Sequence, residues 1–446
     1  MKRRQLLKAV PFFTSLIATT AYAQNQQTEV ARLFNIAAAK HKRELSDLLM
    51  TRGVAQVSLP DVSSQSIARV LSAKTETTEG SWMEQHEELM YPDKTSVLFY
   101  SHDGEDLQTW LVGEDGIQSY HRQAISKQQI QDAIISLRNS LDVDTRQRSR
   151  LQYRQASLSV VSVNAEPLED TIANLTDILL PTSVVSQLQA VRHLVVVPIL
   201  EMGTVPYAIL KPFGDEAFLI DKMSVSIASS LFDLGQSLDG SAVSRLFLSP
   251  LVVGNPYVPE SEDWLVPSLP GAEQEAEVVA EMLGVTPLLR REATKREVVS
   301  KVKDASLLYF AAHGASSNLD PLSNSFLMLS AESFEQGWWT AQEIQDTRLN
   351  AEVAVLSACQ TGLGQAHDAG VIGLSRAFQI AGVPRVIMSL WNVDDLATSE
   401  LMQAFMHYIR SQLVPAEALR QAMLEVRERY SEPYKWASFV LFGTPR

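Results

Sequence analysis

This sequence predicts an α/β fold with a mostly parallel central sheet, and three observations carry the prediction. From about Val191 onward, short runs of strand length alternate with segments of helical period. Those short runs are apolar throughout instead of alternating with polar residues, the pattern of strands covered on both faces. The chain is 446 residues long, 46% hydrophobic and 20% charged, which gives an ordinary globular composition and enough apolar surface for two or three domains.

Taken in order, residues 24–75 read as helical and polar. Between Val30 and Met50 the apolar positions Leu33, Ile36, Ala37, Leu45, Leu48 and Leu49 recur at helical spacing. Pro60-Asp61 marks a turn, and residues 74–95 are charged and read as loop. From Thr95 the period becomes two. Ser96–Ser101, Leu107–Val112 and Ile117–Arg122 read as strands, separated by the hairpin signals Asp103-Gly104 and Asp115-Gly116. A helix is expected across Lys127–Leu141, then a loop or peripheral strand over 144–165. In the alternating region, His193–Pro198, Leu246–Val253, Ser306–Ala311, Val353–Ala358 and Arg385–Leu390 read as core strands. Gly271–Leu283, Thr294–Val302, Ile372–Ala381, Leu396–Arg410 and Pro415–Arg429 read as helices, and Trp436–Phe442 as a last strand. The expected organisation is a signal segment (1–23), a helical and loop segment (24–94), a β-hairpin and helix portion (95–190), and an α/β core (191–446).

The N-terminus has the form of an export signal. Lys2, Arg3 and Arg4 are followed by an apolar stretch from Ala9 to Ala21 and a small-x-small site, Ala21-Tyr22-Ala23. Arg3-Arg4-Gln5-Leu6-Leu7-Lys8 resembles the twin-arginine export motif. The run is well short of the roughly 20 residues that span a bilayer, and Pro11 interrupts it, so no membrane anchor is expected after signal removal. Export to a bacterial periplasm is the expectation. Removing residues 1–23 takes Lys2, Arg3, Arg4 and Lys8 and no acids, which moves the formal charge from −14 to −18. So acidic a chain without a basic stripe is not built to bind nucleic acid.

Cys359 is the only cysteine of the chain. A lone cysteine in an oxidising compartment is an intermolecular link, a buried bystander or a reactive thiol. It follows the apolar strand Glu352–Ala358 and opens a polar turn, Cys359-Gln360-Thr361-Gly362. A second strand of the same shape, Ser306–Ala312, ends in His313-Gly314. Laid side by side and parallel, the two strands bring a thiol and an imidazole to one carboxyl edge, where ligands collect in open α/β sheets. His313 would generate the thiolate and later protonate a leaving amine. The N–H groups of Gly314 and Cys359 would hold the oxyanion. The eight histidines are scattered, no His-x-x-x-His pair occurs, and no glycine loop precedes Lys-Ser or Lys-Thr at a helix start, so neither metal nor cofactor is expected.

Residues 191–446 resemble the CHAT domain of the caspase-like, clan CD cysteine peptidases, and resemble separase and the gingipains in core arrangement; the β-hairpin and helix portion over 95–190 resembles the usual front portion of the same domain. The resemblance is carried by Val196-Val197-Pro198, Val205-Pro206-Tyr207-Ala208, Val253-Gly254-Asn255-Pro256, Leu269-Pro270-Gly271-Ala272-Glu273-Gln274-Glu275-Ala276 and Glu292-Ala293-Thr294-Lys295. It continues through Ala311-Ala312-His313-Gly314, Leu356-Ser357-Ala358-Cys359-Gln360-Thr361-Gly362, Gly373-Leu374-Ser375-Arg376-Ala377-Phe378, Ser389-Leu390-Trp391-Asn392-Val393-Asp394 and Trp436-Ala437-Ser438-Phe439. It implies a caspase-like α/β/α sandwich and endopeptidase activity on a protein or peptide. The dyad falls on His313 and Cys359 and the oxyanion donor on Gly314. An activating protein partner in trans is implied as well. Where family members often carry Gly-Glu-Gly this chain has Asp368-Ala369-Gly370, and no helical repeats precede the domain.

Asp394 and Asp395 follow the strand ending Ser389-Leu390-Trp391. They either line a pocket favouring Arg or Lys, or cap the helix that starts at Leu396. Two other functions remain open at this stage: an interaction module that keeps the fold and cleaves nothing, and a thiol acyl transferase using the same dyad.

Overall fold

The computed structural model describes residues 10–51, 59–72, 94–141, 152–153, 166–214, 217–234, 245–260, 264–315, 322–358, 365–367, 370–391 and 395–444. The expected loop over 74–95 lies outside the described residues up to 93, as does most of 144–165.

The chain opens with two helices, α1 (Val10–Thr51) and α2 (Ser64–Ser72), and a meander of β1 (Thr95–His102), β2 (Asp106–Gly113) and β3 (Gly116–Ala124). Gly104 and Gly116 take φ of 116° and 105° in the two hairpin turns, which is why glycine stands there. Helix α3 (Lys127–Ser140) starts at a capping box in which Ser126 and Gln129 satisfy each other's backbone N–H. After β4 (Gln152–Tyr153) come α4 (Leu168–Leu179), α5 (Thr182–Leu188), β5 (His193–Val197), α6 (Leu219–Lys222) and β6 (Ser224–Ile227). The core then runs β7 (Pro250–Gly254), β8 (Trp264–Leu265), α7 (Pro270–Leu283), β9 (Leu288–Leu289), α8 (Lys295–Lys301), β10 (Leu307–Ala312), β11 (Gly314–Ala315), β12 (Phe326–Met328) and β13 (Trp338–Thr340). It closes with α9 (Ala341–Gln345), β14 (Val353–Ala358), β15 (Gln365–His367), β16 (Gly370–Ile372), α10 (Leu374–Ala381), β17 (Arg385–Ser389), α11 (Asp395–Arg410), α12 (Pro415–Arg427), α13 (Pro433–Trp436) and β18 (Phe439–Gly443).

Among the described residues, eleven strands form one sheet in the order β3-β2-β1-β5-β6-β18-β17-β14-β10-β7-β9. Pairing is parallel from β1 to β18 and again from β17 to β9, and antiparallel within the meander and between β17 and β18. The expected mostly parallel sheet is present, in two blocks that run in opposite directions and meet at β17 and β18. Helices cover both faces. On one face, Phe34, Ala37 and Ala38 of α1 pack with Ile67 of α2 against Val97, Phe99, Trp110 and Val195. On the other, the Tyr100 hydroxyl donates to the Leu179 carbonyl at the end of α4. In the second block, Phe310 of β10 meets Trp339 and Phe378 of α10, while its neighbour Tyr309 points to α7. These are the three layers of an α/β/α sandwich. Among the described residues, no helix is long and apolar enough to cross a membrane.

β6 is a strand that the sequence reading did not anticipate. Its Ser224 and Ser226 are fully buried because their hydroxyls hydrogen-bond the two ring nitrogens of His193 at 2.9 and 3.0 Å. The strand is therefore interior despite its polar alternation.

Candidate active site

Every residue of β10 is buried, and β14 runs parallel beside it. The register is unbroken from Leu307↔Val353 to Ala312↔Ala358. Ala312 precedes His313 and Ala358 precedes Cys359, so the strands that carry the two residues end level with each other. Cys359 itself lies outside the described residues.

His313 is 3% exposed. Its Nε2 lies 2.7 Å from the carbonyl oxygen of Pro267, in the segment that leads into α7. A carbonyl only accepts, so Nε2 carries the proton, and in the neutral ring Nδ1 is the nitrogen left with a lone pair. The imidazole is thereby fixed in one tautomer and one orientation. Its backbone is fixed too, because the His313 carbonyl accepts the Met328 N–H at 2.8 Å.

That last bond decides the direction of the next amide. Gly314 stands opposite Leu327 in the small antiparallel sheet β11-β12-β13. A bond from Met328 N–H to the His313 carbonyl makes Gly314 and Leu327 a non-hydrogen-bonded pair, whose N–H and C=O groups point away from each other's strand. The Gly314 N–H is therefore directed away from β12. On one face of the small sheet Phe326 and Trp338 stack with centroids 4.4 Å apart, and on the other Leu327 and Trp339 pack into the main core.

Beneath the strand ends lies a buried polar pair. The Tyr309 hydroxyl donates to Glu275 Oε1 on α7 at 2.7 Å, and Ser357 hydrogen-bonds the same hydroxyl. Burial holds the Tyr309 phenol far above its ordinary pKa, and the charge of Glu275 adds to the effect. α7 approaches closely here: a Cβ on Gly254 would lie 2.3 Å from the Ala276 Cβ.

Helix α11 begins at Asp395, so one of the two aspartates sits in its first turn, where an acid suits the helix dipole. Asp394 and the side chain of Asp395 lie outside the described residues. Among the described residues, no three His, Cys, Asp or Glu side chains gather as metal ligands would.

Sequence reasoning reached His313 and Gly314 but not Pro267, which acts through a backbone carbonyl and leaves no side-chain signal. Glu275 did leave one. It stands on the apolar stripe of α7 beside Ala276 and Val279, where a carboxylate needs a buried partner.

A family model described as CHAT domain matches residues 169–444. Tetratricopeptide repeat protein 28 from Homo sapiens is 28% identical over 299 residues, and that from Mus musculus 28% identical over 295 residues. Each alignment takes in 57% of this chain and 12% of the relative, so this chain spans a small part of those proteins' length. Among solved structures, the Saccharomyces cerevisiae separase–securin complex is similar with a TM-score of 0.45 and 13% identity, over 81% of this chain and 30% of that chain. The Arg specific cysteine proteinase gingipain R is similar with a TM-score of 0.38 and 10% identity, over 63% of this chain and 70% of that chain. The family match spans well over half of the sequence and takes in β10, β14 and the residues that follow each of them; the chain belongs to the CHAT domain family.

Proposed function

We propose that this chain is an exported cysteine endopeptidase in which Cys359 is the nucleophile and His313 the general acid–base. The observation that carries the reading is the level register of Ala312 with Ala358, combined with an imidazole whose Nε2–H is committed to Pro267. In this scheme Nδ1 takes the proton from the Cys359 thiol. The thiolate attacks the peptide carbonyl carbon, and the N–H groups of Gly314 and Cys359 receive the oxyanion. The C–N bond breaks as Nδ1–H protonates the leaving amine. Water, its proton taken by the same nitrogen, then hydrolyses the thioester and restores the thiol.

The preferred substrate residue is cationic. The connections leaving the carboxyl ends of β7, β10, β14 and β17 span residues 255–269, 313–325, 359–373 and 390–396. They carry Glu260, Glu262, Asp263, Asp320, Asp368, Asp394 and Asp395 and no Lys or Arg. Arg290 and Arg291, which follow β9 at the same edge, are engaged by Glu273 and by the Tyr257 ring, and the seven acids outnumber them, an excess that draws in a basic peptide. Asp394 and Asp395 are the pair proposed to meet the residue before the cleaved bond.

The test is digestion of a peptide library by the mature protein and by Cys359→Ala, with termini mapped by mass spectrometry. The reading predicts new carboxyl ends at Arg or Lys with the wild type only. Transfer of the acyl group to an added amine or thiol, with no hydrolysis, would replace the peptidase by an acyl transferase.

A further inference from the structure

We infer that Asn255 is a positioning residue for His313, acting through the Pro267 carbonyl, and that Glu273 sets the orientation of its amide. The inference rests on the peptidase reading above.

Asn255 follows the last residue of β7 and is 6% exposed. Its φ is 41°, in the left-handed region, which asparagine tolerates better than most residues bearing a Cβ. Its N–H donates to the Ala311 carbonyl at 2.9 Å, which extends the β7–β10 pairing to within two residues of His313. Its side chain turns the other way. Oδ1 accepts the Leu269 N–H at 2.9 Å, and Nδ2 donates to Glu273 Oε2 at 2.8 Å. A backbone N–H can only donate and a carboxylate only accept, so these two partners assign the oxygen and nitrogen of the amide without ambiguity.

Glu273 is in turn held by Arg290, whose Nε lies 2.8 and 2.7 Å from its two oxygens. The hydrogen bond from Arg290 is the main reason the Glu273 carboxyl titrates below its ordinary range, with Asn255 contributing. The carboxylate is therefore present as an acceptor at neutral pH. The order of contacts is Arg290, Glu273, Asn255, Leu269. Two residues before Leu269, the Pro267 carbonyl reaches His313 Nε2. Between them stands Ser268, whose hydroxyl lies 3.3 Å from Asn255 Nδ2, so the Asn255 amide holds both residues that follow the Pro267 carbonyl. One side chain thus joins the strand end beside the imidazole to the segment that selects the imidazole tautomer.

The experiment follows alkylation of the full chain by iodoacetamide across pH, with thermal melting alongside. Cys359 is the only thiol, so the rate reports its thiolate directly. The variants are His313→Ala, Asn255→Ala, Asn255→Asp and the pair Asn255→Asp with Glu273→Gln. Asn255→Asp keeps an acceptor for Leu269 but sets a second carboxylate against Glu273. The paired variant restores a donor and an acceptor in exchanged places. In the wild type, the inflection should lie below the ordinary thiol value of about 8.5 and depend on His313. Asn255→Ala and Asn255→Asp should raise it by about one unit, slowing alkylation about tenfold at pH 6. The paired variant should return to within a few-fold of the wild type. A wild-type profile that His313→Ala alters, but that Asn255→Asp leaves in place while lowering only the melting temperature, would overturn the inference and leave the peptidase reading standing. Coincident profiles for wild type and His313→Ala would overturn the peptidase reading, and this inference with it.

Discussion

Glu275 shows how a single residue can join a helix to the strands of the site. A carboxylate on the apolar stripe of α7 is tolerated because the Tyr309 hydroxyl meets it at 2.7 Å. Tyr309→Phe removes that donor from an oxygen that water cannot reach. The loss should be about 1–3 kcal/mol of stability, read by denaturant unfolding. Glu273 gives a pH dependence instead. Its folded pKa is depressed, chiefly by the hydrogen bond from Arg290. Its contribution is therefore present above the ordinary carboxylate value of about 4.3 and lost as pH falls through the lower, folded value. Melting temperature followed from pH 6 downward should fall less steeply through this window for Glu273→Gln than for the wild type. At this scale the sequence was partly legible. His313 and Gly314 stand out because they end an apolar strand. Pro267 stays silent because the group it contributes belongs to every residue's backbone.

Elements were legible where hydrophobic pattern and turn chemistry agreed. The meander from Thr95 to Ala124 is such a case, because Asp-Gly turns separate runs of period two. The core strands β10, β14 and β17 are largely apolar and appear within a residue of the expected bounds. Helix α10 starts at Leu374, two residues later than its apolar pattern began, because Gly370–Ile372 is taken up as β16 paired with β15. β6 was missed although Ser224–Ile227 alternates with period two, and the burial of its serine face was not legible because only His193 on the neighbouring strand explains it. Helix α1 was read as helical from its pattern, but nothing in its sequence says which strands it covers. Phe34 lies against Phe99 and Trp110, with centroids at 5.5 and 5.8 Å, and is fully buried. Phe34→Ala should lower unfolding free energy by about 3–5 kcal/mol, as emptying an aromatic site does. A drop of that size in a denaturant titration would show that α1 is part of the cooperative unit; a drop below about 0.5 kcal/mol would show that it docks weakly.

At the scale of the molecule, the three-layer architecture was legible and the reversal of strand direction between β18 and β17 was not. An apolar run specifies burial on two faces, but it is the same run whichever way the strand points. Direction is set by the connections, not by the run itself. The reversal has a consequence for function. β7, β9, β10, β14 and β17 deliver their carboxyl ends to the edge where His313 stands, so a site built there draws on the connections of the second block. The connections after β7, β10, β14 and β17 carry acids and no Lys or Arg, while β9 is followed by Arg290 and Arg291. The most direct measurement of the central claim is labelling of the protein by a library of peptidyl acyloxymethyl ketones, read by mass spectrometry, with His313→Ala beside the wild type. The account predicts covalent modification at Cys359 that His313→Ala abolishes and that is strongest for probes ending in Arg or Lys. A thiol that small alkylators modify equally well in both proteins, and that no peptidyl probe labels in either, would contradict it.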